Sequence, residues 1–261
     1  MRLKNKVVLV TACTRGIGLA IVKKCVQEGA MVYMAARNMD LAKEIASTLN
    51  NVKSVYNDAT KAETFQSMVN DVVADAGRVD VLVNNFGTSN PGKDLDFVNT
   101  DPQIFLDTVN LNLRSVFMAS QTAAKHMAIS GGGSIINISS IGGIVPDISQ
   151  VAYGTSKAAI NYLTKLIAVQ EAKHNIRCNA VLPGMTATDA VEKNLSAEFR
   201  NQFLRHIPLG RMGQPEEVAE AVCYFGSDAA TYITGQILTV SGGFGLATPV
   251  YGDLGNRTNK R

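Results

Sequence analysis

The sequence is poor in residues that form disulfide bonds or bind metals, with four cysteines and three histidines in 261 residues. The cysteines are scattered, with no C-x-x-C pair and no histidine at metal-ligand spacing. We therefore expect reduced thiols and no metal site, and a disulfide or a metal site is the less favoured alternative. The net charge is only +3, and its dispersed basic residues do not predict binding to nucleic acid. The single basic cluster, at Arg257, Lys260 and Arg261, is interpreted as a solvated tail.

Long hydrophobic runs are also missing from the sequence. The first residues lead directly into a strand pattern, without the apolar stretch of a signal peptide. Apolar runs such as residues 7–10 are too short to span a bilayer. We therefore expect a cytoplasmic protein without a membrane partner.

The composition is that of a packed globular chain, with 46% apolar and 18% charged residues. Short β-branched runs alternate with longer amphipathic stretches, without an internal repeat or a linker, which predicts a single domain over residues 1–261. Strands are predicted at residues 7–11, 31–35, 52–56, 79–83, 134–138, 177–181 and 236–240. Helices are predicted at residues 17–28, 40–49, 62–76, 102–128, 151–174 and 215–225. This order predicts an α/β fold, a doubly wound parallel sheet of seven strands with helices on both faces.

One segment, residues 185–209, interrupts the alternation of strands and helices. It follows a predicted strand and Pro183-Gly184, and it carries small polar residues and a short amphipathic piece around residues 199–204. Connections at the carboxyl edge of a parallel sheet lie where ligands bind, so we predict a substrate lid. A long surface connection is the alternative.

A turn containing glycine follows the first strand and opens a helix, with the sequence Thr11-Ala12-Cys13-Thr14-Arg15-Gly16-Ile17-Gly18. Glycine lets the backbone approach a phosphate, and a helix N-terminus supplies free N–H groups and the positive end of a dipole. Many ordinary turns also contain glycine, but the position after the first strand of an alternating pattern predicts a dinucleotide site.

The turn resembles the T-G-x-x-x-G-x-G loop of the short-chain dehydrogenase/reductase family, with Ala12 in place of the first glycine. If the backbone there requires a positive φ, alanine costs on the order of 1 kcal/mol. Further elements of that family follow in order, up to a final Gly-Gly at residues 242–243. The first is Asn57-Asp58, whose Asp would contact adenine. The second is Asn84-Asn85-Phe86-Gly87, which is similar to the family's N-N-A-G. The third is Pro183-Gly184 with Thr188, which is similar to the family's P-G-x-x-x-T.

The resemblance implies a Rossmann-type fold and a nicotinamide cofactor. The cofactor-binding residues predicted from it are Thr11, Thr14, Arg15, Gly16, Ile17, Gly18, Arg37, Asp58, Asn85, Gly87, Tyr153, Lys157, Pro183, Gly184, Thr186 and Thr188.

The end of the second strand predicts which dinucleotide is bound. Enzymes that prefer NAD place an acidic residue there, whereas this chain has no carboxylate before Asp40. Arg15 and Arg37 would lie beside the adenosine ribose, where guanidinium groups favour a 2′-phosphate. We predict NADP, and two solvated surface arginines are the alternative.

Tyr153 and Lys157 are spaced to share one face of a predicted helix. A free phenol has a pKa of about 10, and a neighbouring ammonium group is expected to lower the pKa of Tyr153 toward a value suited to proton transfer. Because Tyr-x-x-x-Lys also occurs by chance on many helices, a catalytic role for this pair needs further residues beside it.

Ser140 follows the fifth strand, where its hydroxyl can orient a substrate oxygen. Asn112 matches the asparagine that, in the family, lies on a helix and holds the water of a proton path to the lysine. The rivals of these two residues are Ser139 and Asn110. The predicted catalytic residues are therefore Asn112, Ser140, Tyr153 and Lys157. Tyr153 would move the proton while a hydride passes between a secondary alcohol and the cofactor, and no metal is needed.

Within this family the chain resembles the NADP-linked bile-acid hydroxysteroid dehydrogenases of bacteria, which act on a 7α- or 12α-hydroxyl. The resemblance rests on residues 14–18, 84–87, 144–149, 176–184, 205–209 and 242–249. It implies a steroid pocket, and a ring at Phe86 would narrow the crevice beside the nicotinamide. The predicted substrate residues are Phe86, Ser140, Ile141, Val145, Tyr153 and Met185, with Phe199 and Phe203 from the lid. Packing within the core or the lid is the alternative for the apolar members.

Two other functions are open at this point. A 3-oxoacyl-carrier-protein reductase would need a basic docking patch, for which Lys193, Arg200 and Arg205 are candidates. A nucleotide-sensing regulator would have no need of the tyrosine base. The resemblance also implies a homotetramer built through the two longest helices and the last strand. The tail from residue 245 onward would cap the pocket of a neighbouring subunit or fray.

Overall fold

A parallel sheet forms the centre of the molecule. The structure is a computed structural model that describes residues 1–194, 196–248 and 251–254. The strands of the described residues are β1 (Val7–Thr11), β2 (Met31–Ala36), β3 (Val52–Tyr56), β4 (Val81–Asn84), β5 (Gly133–Ile138), β6 (Ile176–Pro183) and β7 (Ile237–Val240). They pair in the order β3-β2-β1-β4-β5-β6-β7, and every pair is parallel. The predicted fold class is therefore confirmed.

Helices cover both faces of this sheet. They are α1 (Gly16–Gln27), α2 (Met39–Ser47), α3 (Thr64–Ala76), α4 (Pro102–Ser130), α5 (Val151–Gln170), α6 (Asp189–Asn194), α7 (Ala197–Leu204), α8 (Pro215–Gly226) and α9 (Tyr251–Leu254). Short 3-10 helices lie at Ile141–Gly143, Ala172–His174 and Asp228–Ala230. None of the helices in the described part of the chain has both the length and the apolar character needed to cross a membrane.

Strand β1 is buried on both faces, which explains its uninterrupted apolar sequence. Successive side chains of a strand point to opposite faces. Val8 and Val10 belong to a core that includes buried residues of α1 and α8, whereas Val7 and Leu9 belong to a second core with residues of α3 and α4. The sheet thus separates two apolar layers and holds β1 rigidly between them.

The predicted strands and helices are all present, with ends that differ by a few residues. The predicted helix 151–174 ends earlier, at Gln170, and a 3-10 turn follows it. Asn175 closes that turn with a left-handed φ of +58°, which a continuing helix does not allow. The predicted lid, residues 185–209, forms two short helices, α6 and α7, where one amphipathic piece was predicted. Leu195 in the lid lies outside the described residues.

The order of the strands creates a crevice at one edge of the sheet. From β1 the chain proceeds to β2 on one side, and from β4 it proceeds to β5 on the other side. In open α/β sheets, ligands bind at the carboxyl ends of strands where the connections diverge in this way. The turn after β1, the segment after β4, the loop after β5 and the lid after β6 all begin at this edge.

Candidate active site

The crevice at the carboxyl edge contains a cavity of about 410 Å³. Its walls come from the turn before α1, the ends of β5 and β6, the face of α5 and the start of the lid. The predicted cofactor residues that line it are Ile17, Asn85, Gly87, Tyr153, Lys157, Pro183, Gly184, Thr186 and Thr188. The predicted substrate residues that line it are Ser140, Ile141, Tyr153, Met185 and Phe203. The structure therefore brings together residues that are far apart in the sequence.

The turn after β1 passes so close to its neighbours that one position accepts only glycine. A Cβ atom at Gly18 would lie 2.6 Å from the Asn85 side-chain nitrogen and 2.7 Å from the Ala12 carbonyl oxygen. Gly16, at the start of α1, faces Thr188 of the lid, whose methyl carbon is 3.3 Å from the place of a Cβ. The turn and the start of the lid thus form opposite sides of one narrow cleft.

Ala12 has the strained backbone that its place in the glycine-containing turn predicted. Its φ is +52°, in the left-handed region where a Cβ atom is unfavourable. The side chain is exposed, so the strain comes from the backbone alone and not from crowding by neighbours. The turn therefore keeps the conformation of a glycine-first loop although it carries an alanine.

Asn85 holds this turn from the side of β4. Its side-chain nitrogen donates to the carbonyl oxygens of Thr11 at 3.1 Å and of Ala12 at 3.0 Å. In return, the Thr11 hydroxyl oxygen accepts from the backbone N–H groups of Asn85 at 2.9 Å and Phe86 at 3.0 Å. Both residues were predicted to bind cofactor, and in the structure they lock the two strand ends together beneath the cavity.

Tyr153 and Ser140 are close neighbours in the wall of the cavity. Ser140 follows β5 directly, and its hydroxyl oxygen accepts from the backbone N–H of Gly142 at 3.1 Å. Burial raises the pKa of Tyr153, and a hydrogen bond with the Ser140 hydroxyl opposes that rise. Its rival in the sequence, Ser139, also borders the cavity, but it is buried and its hydroxyl donates to the carbonyl oxygen of Lys157 at 3.1 Å.

Lys157 lies one helical turn after Tyr153, with its Nζ atom 5.6 Å from the centre of the Tyr153 ring. The Nζ group donates to the carbonyl oxygen of Ile138 at 2.9 Å. Burial lowers the pKa of Lys157 to about 8. We expected this ammonium group to lower the pKa of Tyr153. The structure corrects that expectation, because burial of the phenol leaves its pKa raised.

Asn112 is fully buried in α4 and connects that helix to the site. Its side chain accepts from the backbone N–H of Thr88 at 2.8 Å and donates to the carbonyl oxygen of Thr88 at 2.9 Å and to the Ser156 hydroxyl at 2.9 Å. Asn110, its rival in the sequence, is exposed. Asn112 thus fixes the segment after β4 against the helix that carries Tyr153.

Asp94 is a further residue of the site, and sequence reasoning missed it. Its carboxylate is fully buried and accepts from the backbone N–H groups of Ala152 and Tyr153, both at 2.9 Å. The residue that precedes α5, Gln150, has a left-handed φ of +60° and makes no capping bond with its own side chain. Asp94 therefore serves as the cap of the helix that carries the catalytic pair. A buried acid is rare unless it is paired or hydrogen-bonded, but a single Asp in a loop gives no such signal in the sequence.

The arginines expected to select the cofactor lie at the rim of the cleft. Arg15, between β1 and α1, and Arg37, directly after β2, are both exposed. Asp58 follows β3, and its pKa is lowered chiefly by the backbone N–H and hydroxyl of Thr60, with a smaller effect from Arg37. The ends of β1, β2 and β3 thus place two cations and one carboxylate on the same side of the cleft.

Three predicted substrate residues lie elsewhere, and one of them, Phe199, lines a separate cavity beside the lid. The ring of Phe86 packs edge-on against Phe65 of α3, with centroids 6.4 Å apart, and is not part of the cavity lining. Phe86 lies two residues beyond the end of β4, and its ring turns toward α3, where burial of apolar surface stabilises it. Val145 faces the carboxyl-terminal segment, because its Cγ2 atom lies 2.6 Å from the place of a Cβ on Gly245. The prediction that Phe86 narrows the crevice is corrected accordingly.

The carboxyl-terminal segment folds back on the lid of its own chain. The ring of Phe244, four residues after β7, stacks on Phe203 of α7 with centroids 4.7 Å apart and planes inclined by 18°. Gly252 of α9 lies so close to His206 that a Cβ there would be 2.6 Å from the imidazole. Residues 249–250 and 255–261 of the predicted tail, including its basic cluster, lie outside the described residues.

The chain is similar to several known proteins over nearly its whole length. Residues 11–245 match the family described as "Enoyl-(Acyl carrier protein) reductase", one of the short-chain dehydrogenases. The 7alpha-hydroxysteroid dehydrogenase of Clostridium sardiniense is 48% identical over 256 residues, which are 97% of this chain and 98% of the relative. The 7alpha-hydroxysteroid dehydrogenase of Paraclostridium sordellii is 48% identical over 258 residues, 97% of each chain.

Solved structures show the same likeness. A 7α-hydroxysteroid dehydrogenase complexed with NADH and 7-oxo glycochenodeoxycholic acid matches with a TM-score of 0.87 at 32% sequence identity. The match covers 93% of this chain and 95% of that chain.

Proposed function

Since the chain belongs to the short-chain dehydrogenase/reductase family, we propose that it is an NADP(H)-dependent dehydrogenase of the 7α-hydroxyl group of bile acids. The observation that carries the proposal is the cavity in which Ser140, Tyr153 and Lys157 converge beside apolar walls. The similarity to two 7alpha-hydroxysteroid dehydrogenases along almost the full chain supports the 7α position over the 12α position.

The cleft fits a dinucleotide. The turn after β1 presents backbone without side chains at Gly16 and Gly18, and the N-terminus of α1 points into the same place, where it would hold a pyrophosphate. Thr188 closes the cleft from the lid, and Lys157 lines its inner end. When bound, the nicotinamide supplies the acceptor of a hydride in oxidation and its donor in reduction.

The residues of the chain supply the proton chemistry. In oxidation the Tyr153 oxygen takes the proton of the steroid hydroxyl, and in reduction it returns that proton to the carbonyl oxygen. Ser140 donates a hydrogen bond to the same oxygen and stabilises the charge that develops on it. Lys157 places its Nζ atom 5.6 Å from the centre of the Tyr153 ring, where a positive charge opposes the rise that burial causes in the pKa of the phenol, while Asn112 fixes the backbone at Thr88 beside the cavity.

The preference for NADP is supported by charge at the rim of the cleft. Arg15 and Arg37 are exposed where the first two strands end, and the end of β2 carries no acidic residue. A 2′-phosphate would gain charge-assisted hydrogen bonds from both guanidinium groups. The solved relative in complex with NADH shows that NAD chemistry also occurs among similar proteins, so the choice needs a direct test.

We further propose a homotetramer in the cytoplasm. Support for the assembly comes from exposed apolar side chains on α4 and α5, among them Phe117, Tyr162, Leu166 and Val169. Support for the compartment comes from the four buried free thiols, which suit a reducing environment. Analytical sedimentation of the purified protein tests whether it is a tetramer.

The function is tested with the purified enzyme and four compounds. Cholate, chenodeoxycholate and deoxycholate are offered with NADP⁺ or NAD⁺, and acetoacetyl thioester is offered with the reduced cofactors. We expect oxidation of chenodeoxycholate and cholate but not of deoxycholate, with NADP⁺ preferred, and loss of activity in Tyr153→Phe. Oxidation of deoxycholate and cholate but not of chenodeoxycholate would place the reaction at the 12α-hydroxyl. Turnover of the thioester alone would indicate an acyl-carrier-protein reductase, and turnover of none would favour the regulator.

A further inference from the structure

The short turn after Ser140, residues 141–143, lies directly on helix α5, and we call it the serine turn. It is the 3-10 turn that follows β5. A Cβ atom at Gly143 would lie 2.8 Å from the carbonyl carbon of Lys157 and 3.0 Å from the backbone nitrogen of Ala158. The backbone of a helix does not give way to a side chain, so this approach requires glycine. The serine turn and α5 therefore meet backbone to backbone.

The serine turn also fixes the hydroxyl of Ser140. The Oγ atom accepts from the backbone N–H of Gly142 at 3.1 Å, and the Ser140 carbonyl oxygen accepts from the N–H of Gly143 at 2.9 Å. A hydrogen bond accepted by a hydroxyl oxygen occupies one of its lone pairs and limits the directions in which its proton can point. The direction of the Ser140 O–H group thus depends on where the serine turn is held.

Asn161 of α5 holds the serine turn from the side of the helix. Its side-chain nitrogen donates to the carbonyl oxygen of Gly143 at 3.2 Å. Tyr153, Lys157 and Asn161 follow one another at intervals of four residues, so they lie along one face of α5. The helix that carries the proposed base therefore also carries the anchor of the serine turn.

Asn161 is an expensive residue for packing alone. Asparagine is unfavourable inside a helix, and only 7% of Asn161 is exposed. Its Oδ1 atom is buried and has no hydrogen-bond partner among the residues that the structure describes. A buried acceptor without a partner lowers stability, so packing would favour an aliphatic side chain at this place. What asparagine contributes instead is the bond to Gly143.

We propose that Asn161 is a positioning residue of the dehydrogenase reaction, which sets the direction of the Ser140 hydroxyl by holding the serine turn against α5. The inference rests on the proposed function, because it concerns the hydroxyl that meets the substrate oxygen. Asn161 is not among the residues that line the catalytic cavity, so it acts through the serine turn and not on the substrate itself. It acts on the position of Ser140 as a helix cap acts on the position of Tyr153.

The experiment measures whether Asn161 and Ser140 act together. Asn161→Leu, which keeps the branched shape of the side chain, and Asn161→Ala both remove the bond to Gly143. Each is made in the wild type and in Ser140→Ala. The single-turnover rate of hydride transfer from chenodeoxycholate to NADP⁺ is followed by the absorbance of the reduced cofactor, so that product release does not enter the measurement.

The two backgrounds are expected to respond differently. In the wild type we expect either Asn161 variant to lower the rate about 5- to 50-fold, because a displaced hydroxyl stabilises less of the charge on the reacting oxygen. In Ser140→Ala we expect a change of no more than about twofold, because the hydroxyl that Asn161 positions is already gone. KM for NADP⁺ should stay within about twofold in both backgrounds, since neither side chain is expected to contact the dinucleotide.

Thr164→Val is the matched control. Thr164 is also buried on α5, and its hydroxyl accepts from the side-chain nitrogen of Asn137 in β5 at 2.9 Å. The valine variant loses a buried hydrogen bond between the helix and the sheet, so we expect a lower midpoint of urea denaturation and a rate within about twofold of the wild type. The same denaturation shows which Asn161 variant is folded in the assay.

The inference is overturned if the folded Asn161 variants leave the rate unchanged, or if they lower it by the same factor with and without the Ser140 hydroxyl. An equal loss of rate in Thr164→Val would assign the effect to a loosened helix and overturn it as well. A wild type that turns over deoxycholate or the thioester but not chenodeoxycholate contradicts the proposed function alone, and the variants are then compared on that compound. A wild type inactive toward every compound overturns both.

Discussion

The carboxylate of Asp94 accepts the backbone N–H of Tyr153 at 2.9 Å, so a loop after β4 fixes the first turn of the helix that carries the proposed base. The second oxygen accepts from Ala152. A bond to the backbone of the catalytic residue fixes where its side chain starts. Asp94 thus acts on the position of the phenol without entering the cavity.

Removal of this contact is expected to impair catalysis more than binding. Asp94→Ala leaves two N–H groups without a partner in a buried place, which costs about 2–4 kcal/mol of unfolding free energy. A small displacement of a catalytic group lowers the rate, and we expect kcat to fall roughly 10- to 100-fold with KM little changed. Steady-state kinetics and chemical denaturation of the variant measure both effects.

Asp101→Ala is the control for that variant. Asp101 caps α4 in a similar way, accepting from the backbone N–H groups of Gln103 and Ile104, at a position away from the cavity. It should lower stability by about 1 kcal/mol and leave kcat intact. A full kcat in Asp94→Ala would show that the helix holds Tyr153 without its cap.

Ala12→Gly is expected to stabilise the protein. The φ of +52° is unfavourable for alanine and free for glycine, and we expect a gain of about 0.5–1 kcal/mol in the free energy of unfolding after the entropy of the glycine is counted. Ala12→Val should lower it, because a β-branched residue tolerates this backbone least. Denaturation at one protein concentration tests the pair, and a glycine variant that is less stable than the wild type would contradict the expectation.

The sequence was sufficient to predict the sheet but not the contacts within the site. Buried central strands such as β1 are continuous apolar runs, whereas the edge strands β3 and β7 are only partly buried and could be found from their place in the alternation of strands and helices. Helix α6 could not, because its six residues at 189–194 contain too little apolar periodicity to signal a helix. The spacing of Tyr153 and Lys157 predicted their shared face, since a helix repeats every 3.6 residues or so.

Two errors of prediction have different physical causes. Phe86 was placed in the crevice because its neighbours in the sequence belong there, yet its ring packs against Phe65. It lies two residues beyond the end of β4, where the periodicity of a strand no longer predicts the direction of a side chain. Asp94 was missed because its burial depends on how the segment after β4 packs against the start of α5. That contact joins residues about sixty positions apart and is not visible in the local sequence.

The lysine of the site makes stability depend on pH. Burial lowers the pKa of Lys157 to about 8, whereas an unfolded lysine titrates at about 10.4. Between those values the unfolded chain binds more protons than the folded chain, so the free energy of unfolding rises with pH across this window. Below pH 8 the cost of burying the charge is fully present.

Lys157→Met removes that cost. Without added dinucleotide, we expect the variant to be more stable than the wild type at pH 7 by about 1–3 kcal/mol, the lower end allowing for the lost bond to Ile138. The difference should shrink as pH rises from 8 to 10.4. Urea denaturation of both proteins at several pH values gives the result, and a difference that does not vary with pH would argue against a buried ammonium group.

Arg37→Ala is expected to weaken the preference for NADP. Loss of one charge-assisted contact to a phosphate should reduce kcat/KM with NADP⁺ about 10- to 100-fold and leave kcat/KM with NAD⁺ within about twofold. Lys43→Ala, an exposed cation on α2, is the control and should change neither value. Equal losses with both cofactors would assign Arg37 a role that does not involve the phosphate.

The stacking of Phe244 on Phe203 also decides how the protein is best handled in the laboratory. Tyr251 lines a cavity beside α7 together with Phe203 and Phe244, so a purification tag or a fluorescent fusion attached after this residue is tethered close to the lid. The other end lies at the opposite edge of the sheet, where the Met1 amino group is 3.9 Å from Glu28 at the end of α1. Tags for kinetic work therefore belong at the amino terminus.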